Sequence, residues 1–423
     1  MSRDPVGDRP VLAGPLPRPA RVAGQPRAPR GLRGSGASWR QLDLGLLIGA
    51  LGLSVVGVVL IWSATRASSG GTAALKQLVA LGVGLACAAA VTRLDVRTVR
   101  AAAPVGYVLA VLGLAAVVSP LGSTVNGSRS WIRVPGGMSL QPSELMKVAL
   151  AVGLAMLLAE RAERGLRQRH RDVVLAWVAA GIPVVLVLAQ PDLGSALVLG
   201  ALALGVVSVS GAPRRWVAGA VALVVAAITV ALTTPVLSPY QRDRLIAFAD
   251  PSADPEGIGY QTRQVRVAIG SGGLGGQGLF QGRQTQGGFI PFQQTDFVFS
   301  VAGEELGLVG AAGLVVLLGF LILRSSVVAL RAQDAFSRLV ALGVACWFLF
   351  QVFENVGMNL GIMPVTGLPL PFVSYGGSSM FACWVALGLV NNAHLSTLHR
   401  PLSAAGSRPA HRSFAAGGGT LRG

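Results

Sequence analysis

The chain has 423 residues, of which 52% are hydrophobic and 13% charged, with a mean hydropathy of +0.61 and a formal net charge of +17. Soluble globular domains have about 25% charged residues, so this composition excludes that class and indicates a protein with many membrane-spanning segments. The three cysteines, Cys87, Cys346 and Cys383, lie in apolar runs without CxxC spacing, which argues against a disulfide framework or a zinc site and favours apolar packing.

The two ends of the chain differ from the rest. Residues 1–40 and 401–423 are rich in Pro, Arg and Gly and show no apolar periodicity. Such segments cannot bury enough apolar surface to fold, so both are predicted to be disordered basic tails in the cytoplasm. No apolar core with a cleavage site follows a short basic start, so the first tail does not resemble a signal peptide. Residues 41–400 are predicted to form one transmembrane domain.

Between the tails, apolar runs of spanning length predict about ten transmembrane helices. The runs cover residues 43–63, 75–92, 102–120, 142–159, 173–189, 193–211, 216–236, 297–323, 339–360 and 377–396. The fold class expected from them is an all-α polytopic membrane protein.

The flanking charges predict the orientation of these helices. Cytoplasmic loops carry an excess of Lys and Arg, and every loop on the side of the N-terminal tail is Arg-rich, for example RLDVRTVR and ERAERGLRQRHRD. The loops on the other side are poorer in net positive charge, including a large loop at 237–296 between helices seven and eight. Both termini are therefore expected in the cytoplasm, and the large loop outside.

The net charge has the same explanation. Much of it lies in the tails and internal loops, where it orients the chain and attracts anionic lipid. Because no folded basic soluble domain is present, the sequence gives no support to nucleic-acid binding.

The segment QPSELMK, residues 141–147, combines a helix start with two opposite charges. Glu144 lies in the first predicted turn, and Glu144 and Lys147 at positions i and i+3 share a face. They could form an intrahelical ion pair that caps the helix, or face an interior cavity. The chain has two lysines, Lys76 and Lys147, beside 33 arginines. A lysine kept in an apolar segment of so arginine-rich a chain favours a functional need for a compact ammonium charge, which suits the binding of a phosphate.

Two glycine-rich segments could involve backbone chemistry. In SYGGSS, residues 374–379, Gly376 and Gly377 could turn backbone amides toward an anion or allow close helix packing. The run GSGGLGGQG, residues 270–278, has no preceding strand and no following GK[ST], so it is a poor match to a phosphate loop. Flexible or re-entrant backbone is the better interpretation of that run.

Asp296 lies at the start of an apolar segment in PFQQTDFVFSVAGEELG, residues 291–307. Charge in an apolar span is costly and usually functional. Asp296 could cap a helix or act as a general base at the water–lipid boundary. Glu304 and Glu305 lie deeper, and one of them is expected to pair with an internal Arg or Lys as structural support.

Several blocks in this order carry a family resemblance. They are NGSRSWI, QPSELMK, QPDLGSA, AIGSGGLGGQG, QTDFVFSVAGEELGLVG and GIMPVTGLPLPFVSYGGSS. Together they resemble the SEDS family (shape, elongation, division and sporulation proteins) over residues 43 to 396. Within that family, TDFVF and MNLGIMPVTGLPLPFVSYGG look more like RodA than FtsW.

The resemblance implies a peptidoglycan glycosyltransferase that polymerises lipid II on the outer face of the plasma membrane, for cell elongation and shape. It also implies a class B penicillin-binding protein as partner, together with other cell-wall synthesis machinery. A transporter that flips lipid II, a division-type polymerase and a scaffold without chemistry of its own are the alternatives.

The resemblance also implies roles for particular residues. The family's essential Asp matches Asp296, the expected general base, and the motif QPSE-x-x-K matches Glu144 and Lys147. Lys147 is assigned to diphosphate binding and Glu144 to positioning it. A divalent cation, Mg²⁺ or Mn²⁺, is expected at the diphosphate, although no ligand motif points to it.

Further substrate-binding candidates come from the same motifs. They are Arg129, Trp131, Gln294, Ser374 and Ser378. Trp131 could instead be an interfacial anchor. The stretch PFQQT departs from many relatives, which have His in place of Gln294, so the neighbour that tunes Asp296 is expected to differ here.

Overall fold

The structure is a computed structural model that describes residues 41–125, 128–134, 138–233, 244, 246–250 and 257–398. Both predicted tails, 1–40 and 401–423, lie outside the described residues, so their disorder stays a prediction.

Thirteen helices of the described chain are named in order. They are α1 Leu44–Ser69, α2 Thr72–Thr92, α3 Val96–Val118, α4 Pro142–Glu163, α5 His170–Leu188, α6 Leu193–Val209, α7 Arg214–Thr233, α8 Ile258–Ser271, α9 Arg283–Gly287, α10 Val298–Glu305, α11 Gly307–Arg331, α12 Ala335–Leu360 and α13 Gly377–Leu398.

The protein is an all-α multi-pass membrane protein. Each of the ten predicted apolar segments overlaps a helix. In the described chain, seven helices are long and apolar enough to cross a membrane, namely α1 to α5, α11 and α12. Helix α6 is apolar but has 17 residues. The exact number of spans stays a prediction.

Hydrogen bonds join the connections between several helices. Gln141 contacts Asp192 and Ser378, and Ser374 contacts Thr295. These connections therefore share one end of the bundle, which we call the site end. Three short strands lie there, β1 Ser123–Val125, β2 Ser128–Val134 and β3 Met138–Leu140, paired antiparallel in the order β1-β2-β3. The helical pattern did not predict this sheet, because its strands are too short to show a period.

The predicted helix 297–323 is interrupted, which corrects the sequence-based boundary. It ends as α10 at Glu305 and restarts as α11 at Gly307, whose φ is 68°. The glycine-rich run fills the break: Gln277 and Gly278 donate their N–H groups to the carbonyls of Glu304 and Glu305 at 2.9 and 3.1 Å. The run is therefore ordered backbone that satisfies a helix end, and its position relative to the membrane stays a prediction.

The predicted loop 237–296 is partly helical. Its described part includes α8 and α9, and α8 buries a face formed by Gly259, Thr262, Val265 and Ala268. A separate small core of Val265, Ala268, Phe297 and their neighbours forms between this region and the end of α12. The loop is thus a packed part of the fold where it is described.

An aromatic chain ties the bundle centre to the site end. Phe348 of α12 contacts Trp347 and Phe372, and Phe372 contacts Trp384 of α13, with ring centroids 5.2 to 5.6 Å apart. All four side chains are buried. Aromatic pairs of this geometry stabilise a fold by more than the burial of their surface alone. They therefore help to fix the segment 361–376, which contains Phe372, against α12 and α13.

Candidate active site

Asp296 lies in a tight turn directly before α10. The turn begins at Phe292, with φ of 56°, and the Phe292 carbonyl accepts the N–H groups of Thr295 and Asp296 at 3.0 and 3.1 Å. The side-chain amides of Asn355 and Asn359, on α12, donate to the Asp296 carbonyl at 3.0 and 3.2 Å. The backbone of Asp296 is therefore fixed by its own turn and by a neighbouring helix.

The Asp296 carboxylate faces a turn at Gly367 and the guanidinium of Arg244. Gly367 has φ of 76°, and a Cβ atom there would lie 3.5 Å from Asp296 Oδ2 and 3.7 Å from Arg244 Nη2. A close approach at left-handed φ favours glycine. The turn thus brings backbone beside both charged groups.

Burial raises the pKa of the half-buried Asp296 carboxyl from its ordinary value to about 6. The Thr295 side chain and the positive charge of Arg244 lower this pKa, and the Asp192 carboxylate raises it. Desolvation disfavours the charged form. A carboxyl that titrates near neutral pH is suited to accept a proton in a reaction.

Asp192 is the second carboxylate acting on the site. Its Oδ1 accepts the N–H of Ser195 at 3.0 Å, capping α6, and its Oδ2 accepts the amide of Gln141 at 3.2 Å. Asp192 therefore joins the QPDLGSA segment to the start of QPSELMK. The sequence did not single out Asp192 as a site residue.

The structure places Lys147 and Glu144 as a buried ion pair. Lys147 Nζ donates to Glu144 Oε1 at 2.7 Å and to Gln351 Oε1 at 2.9 Å, and lies 5.1 Å from the Trp347 ring centroid. Gln351 donates in turn to the Pro369 carbonyl at 2.7 Å. Lys147 is fully buried, so in this conformation its ammonium supports the segment around Gly367 and does not reach solvent.

The SYGGSS segment is attached to the Asp296 turn. Ser374 Oγ donates to the Thr295 carbonyl at 2.5 Å and accepts the N–H of Leu370 at 2.8 Å. Gln77 of α2 donates to the Ser374 carbonyl at 3.0 Å and accepts the N–H of Gly376 at 3.1 Å. The Gly376 amide is therefore engaged within the protein here.

The neighbouring candidates have similar positions. The Gln294 carbonyl accepts the N–H of Tyr375 at 2.9 Å, and Ser378 Oγ accepts the N–H of Gln141 at 3.3 Å. Gly377 is the first residue of α13. Gln294 and Ser374 thus lie at the Asp296 turn, and Ser378 joins α13 to the residue before α4.

Arg129 and Trp131 belong to the small sheet. Arg129 donates to the carbonyls of Gly122 and Ser119 at 3.2 and 2.8 Å, and the Trp131 carbonyl accepts from Ser123 Oγ at 3.0 Å. The described contacts of Arg129 tie β2 to the end of α3, and that of Trp131 ties β2 to β1. They do not join either side chain to Asp296.

Glu304 and Glu305 have neutral partners in place of the expected Arg or Lys. Glu304 accepts the N–H groups of Gln284 and Thr285 at 2.7 and 2.9 Å, and Glu305 accepts from Ser63 Oγ at 2.6 Å. In the described part of the chain, neither forms an ion pair. Gln284 and Thr285 lie in the first turn of α9, where backbone N–H groups have no partner within the helix. The Glu304 carboxylate accepts from these N–H groups, and the Glu305 carboxylate accepts from a hydroxyl.

Five residues of the site were missed at the sequence level. They are Asp192, Arg244, Asn355, Asn359 and Gly367. Two amides spaced i and i+4 in an apolar helix were a detectable sign of a polar face. The contacts of Arg244 and Gly367 depend on tertiary packing between distant segments and left no comparable pattern.

A resident metal site does not fit the described residues. Among them, no group of three or more His, Cys, Asp or Glu side chains lies close enough together to hold a metal ion.

Comparisons with known proteins identify the family of this chain. The FtsW/RodA/SpoVE family model, described as "Cell cycle protein", matches residues 41–399. The peptidoglycan glycosyltransferase MrdB of Escherichia coli K12 is 36% identical over 361 residues, covering 84% of this chain and 93% of MrdB. The probable peptidoglycan glycosyltransferase FtsW of Mycobacterium tuberculosis H37Rv is 36% identical over 365 residues, covering 84% and 68%.

Solved structures give the same result. A chain described as "Structural coordination of polymerization and crosslinking by a peptidoglycan synthase complex" is 37% identical, with a TM-score of 0.72 over 86% of this chain and all of that one. The rod shape determining protein RodA of Thermus thermophilus is 34% identical, with a TM-score of 0.63 over 85% and 98%. The fold and these matches define a polytopic cell-wall protein class. The chain belongs to the FtsW/RodA/SpoVE family, also called SEDS.

Proposed function

We propose that this protein is a peptidoglycan glycosyltransferase that polymerises lipid II into β-1,4 glycan strands at the outer face of the plasma membrane. The observation that carries the proposal is Asp296, a half-buried carboxyl with its pKa raised to about 6, held in a fixed turn beside Arg244. The resemblance to MrdB and FtsW supports the same activity.

Asp296 acts as the general base in this proposal. It takes the proton of the acceptor's 4-hydroxyl as that oxygen forms a bond to the anomeric carbon of the donor. The bond from that carbon to the diphosphate breaks at the same time, and undecaprenyl diphosphate leaves with the electron pair. A single displacement inverts the anomeric carbon and requires one carboxylate, unlike the two of a glycosidase.

The support residues keep the base in place. Asn355 and Asn359 hold the Asp296 carbonyl, and Ser374 holds that of Thr295. Glu144 and Lys147 act through Gln351 on the segment that carries Gly367. A direct contact of Lys147 with the diphosphate requires a conformation in which its pair with Glu144 opens.

The membrane orientation follows the charge pattern. Both termini lie in the cytoplasm in this proposal, and the site end faces outward, where lipid II presents its sugars. The Arg-rich loops at the opposite end support this orientation.

A class B penicillin-binding protein is the proposed partner, because a polymerised strand must be cross-linked. The match to a chain of a complex described as coordinating polymerization and crosslinking supports such a pairing. A divalent cation is proposed to arrive with the diphosphate as its counter-ion, and removal by EDTA with Mg²⁺ or Mn²⁺ added back tests that requirement.

The decisive experiment uses the purified protein with and without its penicillin-binding partner. Labelled lipid II and Mg²⁺ are added, and glycan strands are resolved on a gel beside the Asp296→Asn variant. Strands from the wild type and none from the variant establish the enzyme and its base. Equal strands from both remove Asp296 from the mechanism. No strands from the wild type even with the partner, together with lipid II movement across vesicles, favour the flippase alternative.

A further inference from the structure

The diphosphate of the donor needs a cation near the reacting carbon, and the cations expected from the sequence have no described contact with Asp296. Lys147 is fully buried in its pair with Glu144. The Arg129 guanidinium contacts the carbonyls of Ser119 and Gly122 at the end of α3. Neither is directed at Asp296 in this structure.

Arg244 is placed differently. Its Nη2 and the Asp296 Oδ2 lie within 3.7 and 3.5 Å of one point beside Gly367. Its positive charge also acts on the Asp296 carboxyl. The guanidinium is therefore beside the base, at the position where a reacting sugar diphosphate must come.

The chemistry of a guanidinium suits this position. Its planar fork binds phosphate oxygens with two parallel hydrogen bonds. The leaving diphosphate gains negative charge as the bond to the anomeric carbon breaks, so a cation fixed nearby stabilises the transition state more than the ground state. Gly367 presents no side chain between Arg244 and Asp296.

We propose that Arg244 binds the diphosphate of the lipid-linked donor and stabilises its charge as the glycosidic bond forms. This inference rests on the proposed function and assigns Arg244 the diphosphate contact that the sequence suggested for Lys147. Arg244 takes no proton; the proton goes to Asp296 and the electron pair to the diphosphate.

The test compares Arg244→Ala and Arg244→Lys with Arg263→Ala, a matched loss of an exposed arginine in the same segment. Glycan polymerisation is measured over a range of lipid II concentrations. Loss of one such charge-stabilising group typically lowers kcat about 10²- to 10³-fold, and this is expected for Arg244→Ala. Arg244→Lys should recover part, and Arg263→Ala should match the wild type. Added guanidinium should raise the rate of Arg244→Ala alone.

A binding measurement separates this inference from the proposed function. Undecaprenyl diphosphate and undecaprenyl phosphate are titrated into each full-length variant, independently of turnover. The wild type should prefer the diphosphate, and Arg244→Ala and Arg244→Lys should lose that preference. If Arg244→Ala retains the wild-type preference and rate, the inference is overturned while polymerisation stands. If the wild type makes no strands but Arg244 variants lose diphosphate preference, the proposed function fails and the diphosphate site stands.

Discussion

At the scale of single residues, the protonation of Asp296 controls the proposed reaction. The base must be ionised to accept a proton, so activity should rise with pH through the Asp296 pKa of about 6. Asp296→Asn should lower kcat by about 10²- to 10⁴-fold. A pH–rate profile of strand synthesis measures both effects, and a flat profile between pH 5 and 7 would contradict the role of Asp296.

The two charges acting on Asp296 should move that profile in opposite directions. Asp192 raises the Asp296 pKa and Arg244 lowers it. Asp192→Asn keeps an oxygen that can accept the N–H of Ser195 but removes the negative charge. The Asp296 pKa should therefore fall, and the acidic limb of the pH–rate profile should shift to lower pH. Arg244→Ala should shift the limb to higher pH. Shifts of the same sign would show that the variants act through structure and not through charge.

Gly367→Ala should lower activity, because the added Cβ would stand between the Asp296 carboxylate and the Arg244 guanidinium, in van der Waals contact at 3.5 and 3.7 Å, and its φ is 76°. A non-Gly residue at such φ costs about 1–3 kcal/mol. Gly288→Ala is the control, since Gly288 has φ of 66° and open space around it. Both variants should lose similar stability in thermal unfolding, and strand synthesis should fall for Gly367→Ala alone.

The buried Glu144–Lys147 pair should show strong coupling. Removing one partner leaves an unpaired buried charge, which costs about 3–5 kcal/mol. Lys147→Met is therefore expected to be strongly destabilised, and the double variant with Glu144→Gln to recover much of the loss. A double-mutant cycle on thermal unfolding measures the coupling; additive losses would argue that the pair is not formed in the membrane.

At the scale of elements, the break between α10 and α11 depends on Gly307. The Gly307 φ is 68°, and an added Cβ would overlap the backbone of Gly276 and Leu274. The strained backbone of a non-glycine residue costs about 1–3 kcal/mol. Gly307→Ala should lower the free energy of unfolding by more than this amount, because the overlap adds to the strain. Gly313→Ala, in the same helix with open space, is the control. Equal melting temperatures for both would show that the glycine-rich run does not dock at the break.

The elements also show how far the sequence could lead. The positions of the helices could be predicted from the length of the apolar runs, because a helix needs about 20 apolar residues to cross the membrane. The break at Gly307 could not, because it depends on N–H groups of residues 277 and 278 that are distant along the chain. The cost of its charge marked Asp296 as a helix cap or a base, and the family resemblance assigned it the base. Its neighbours Asp192 and Arg244 became visible only when folding brought distant segments together.

At the scale of the whole molecule, the orientation is testable by chemical labelling. The native cysteines lie in apolar helices and are half-buried or buried. The labelling of a single introduced surface cysteine can therefore be compared with the background labelling of the native protein. Phe289→Cys, exposed at the site end, should react with a membrane-impermeant maleimide on intact cells, and Arg97→Cys at the opposite end should not. The reverse pattern would place the termini outside.

Helix α12 fixes several loops by one polar face. Gln351 holds the Pro369 carbonyl, Asn355 holds those of Leu368 and Asp296, and Asn359 also holds that of Asp296. The base and the segment that carries Gly367 are therefore attached to the same helix, and a displacement of α12 should move both. Arg244 and Asp192 belong to other segments. A substrate that binds between Asp296 and Arg244 should consequently meet a base whose position relative to the Gly367 turn stays constant, while the position of the cation can vary.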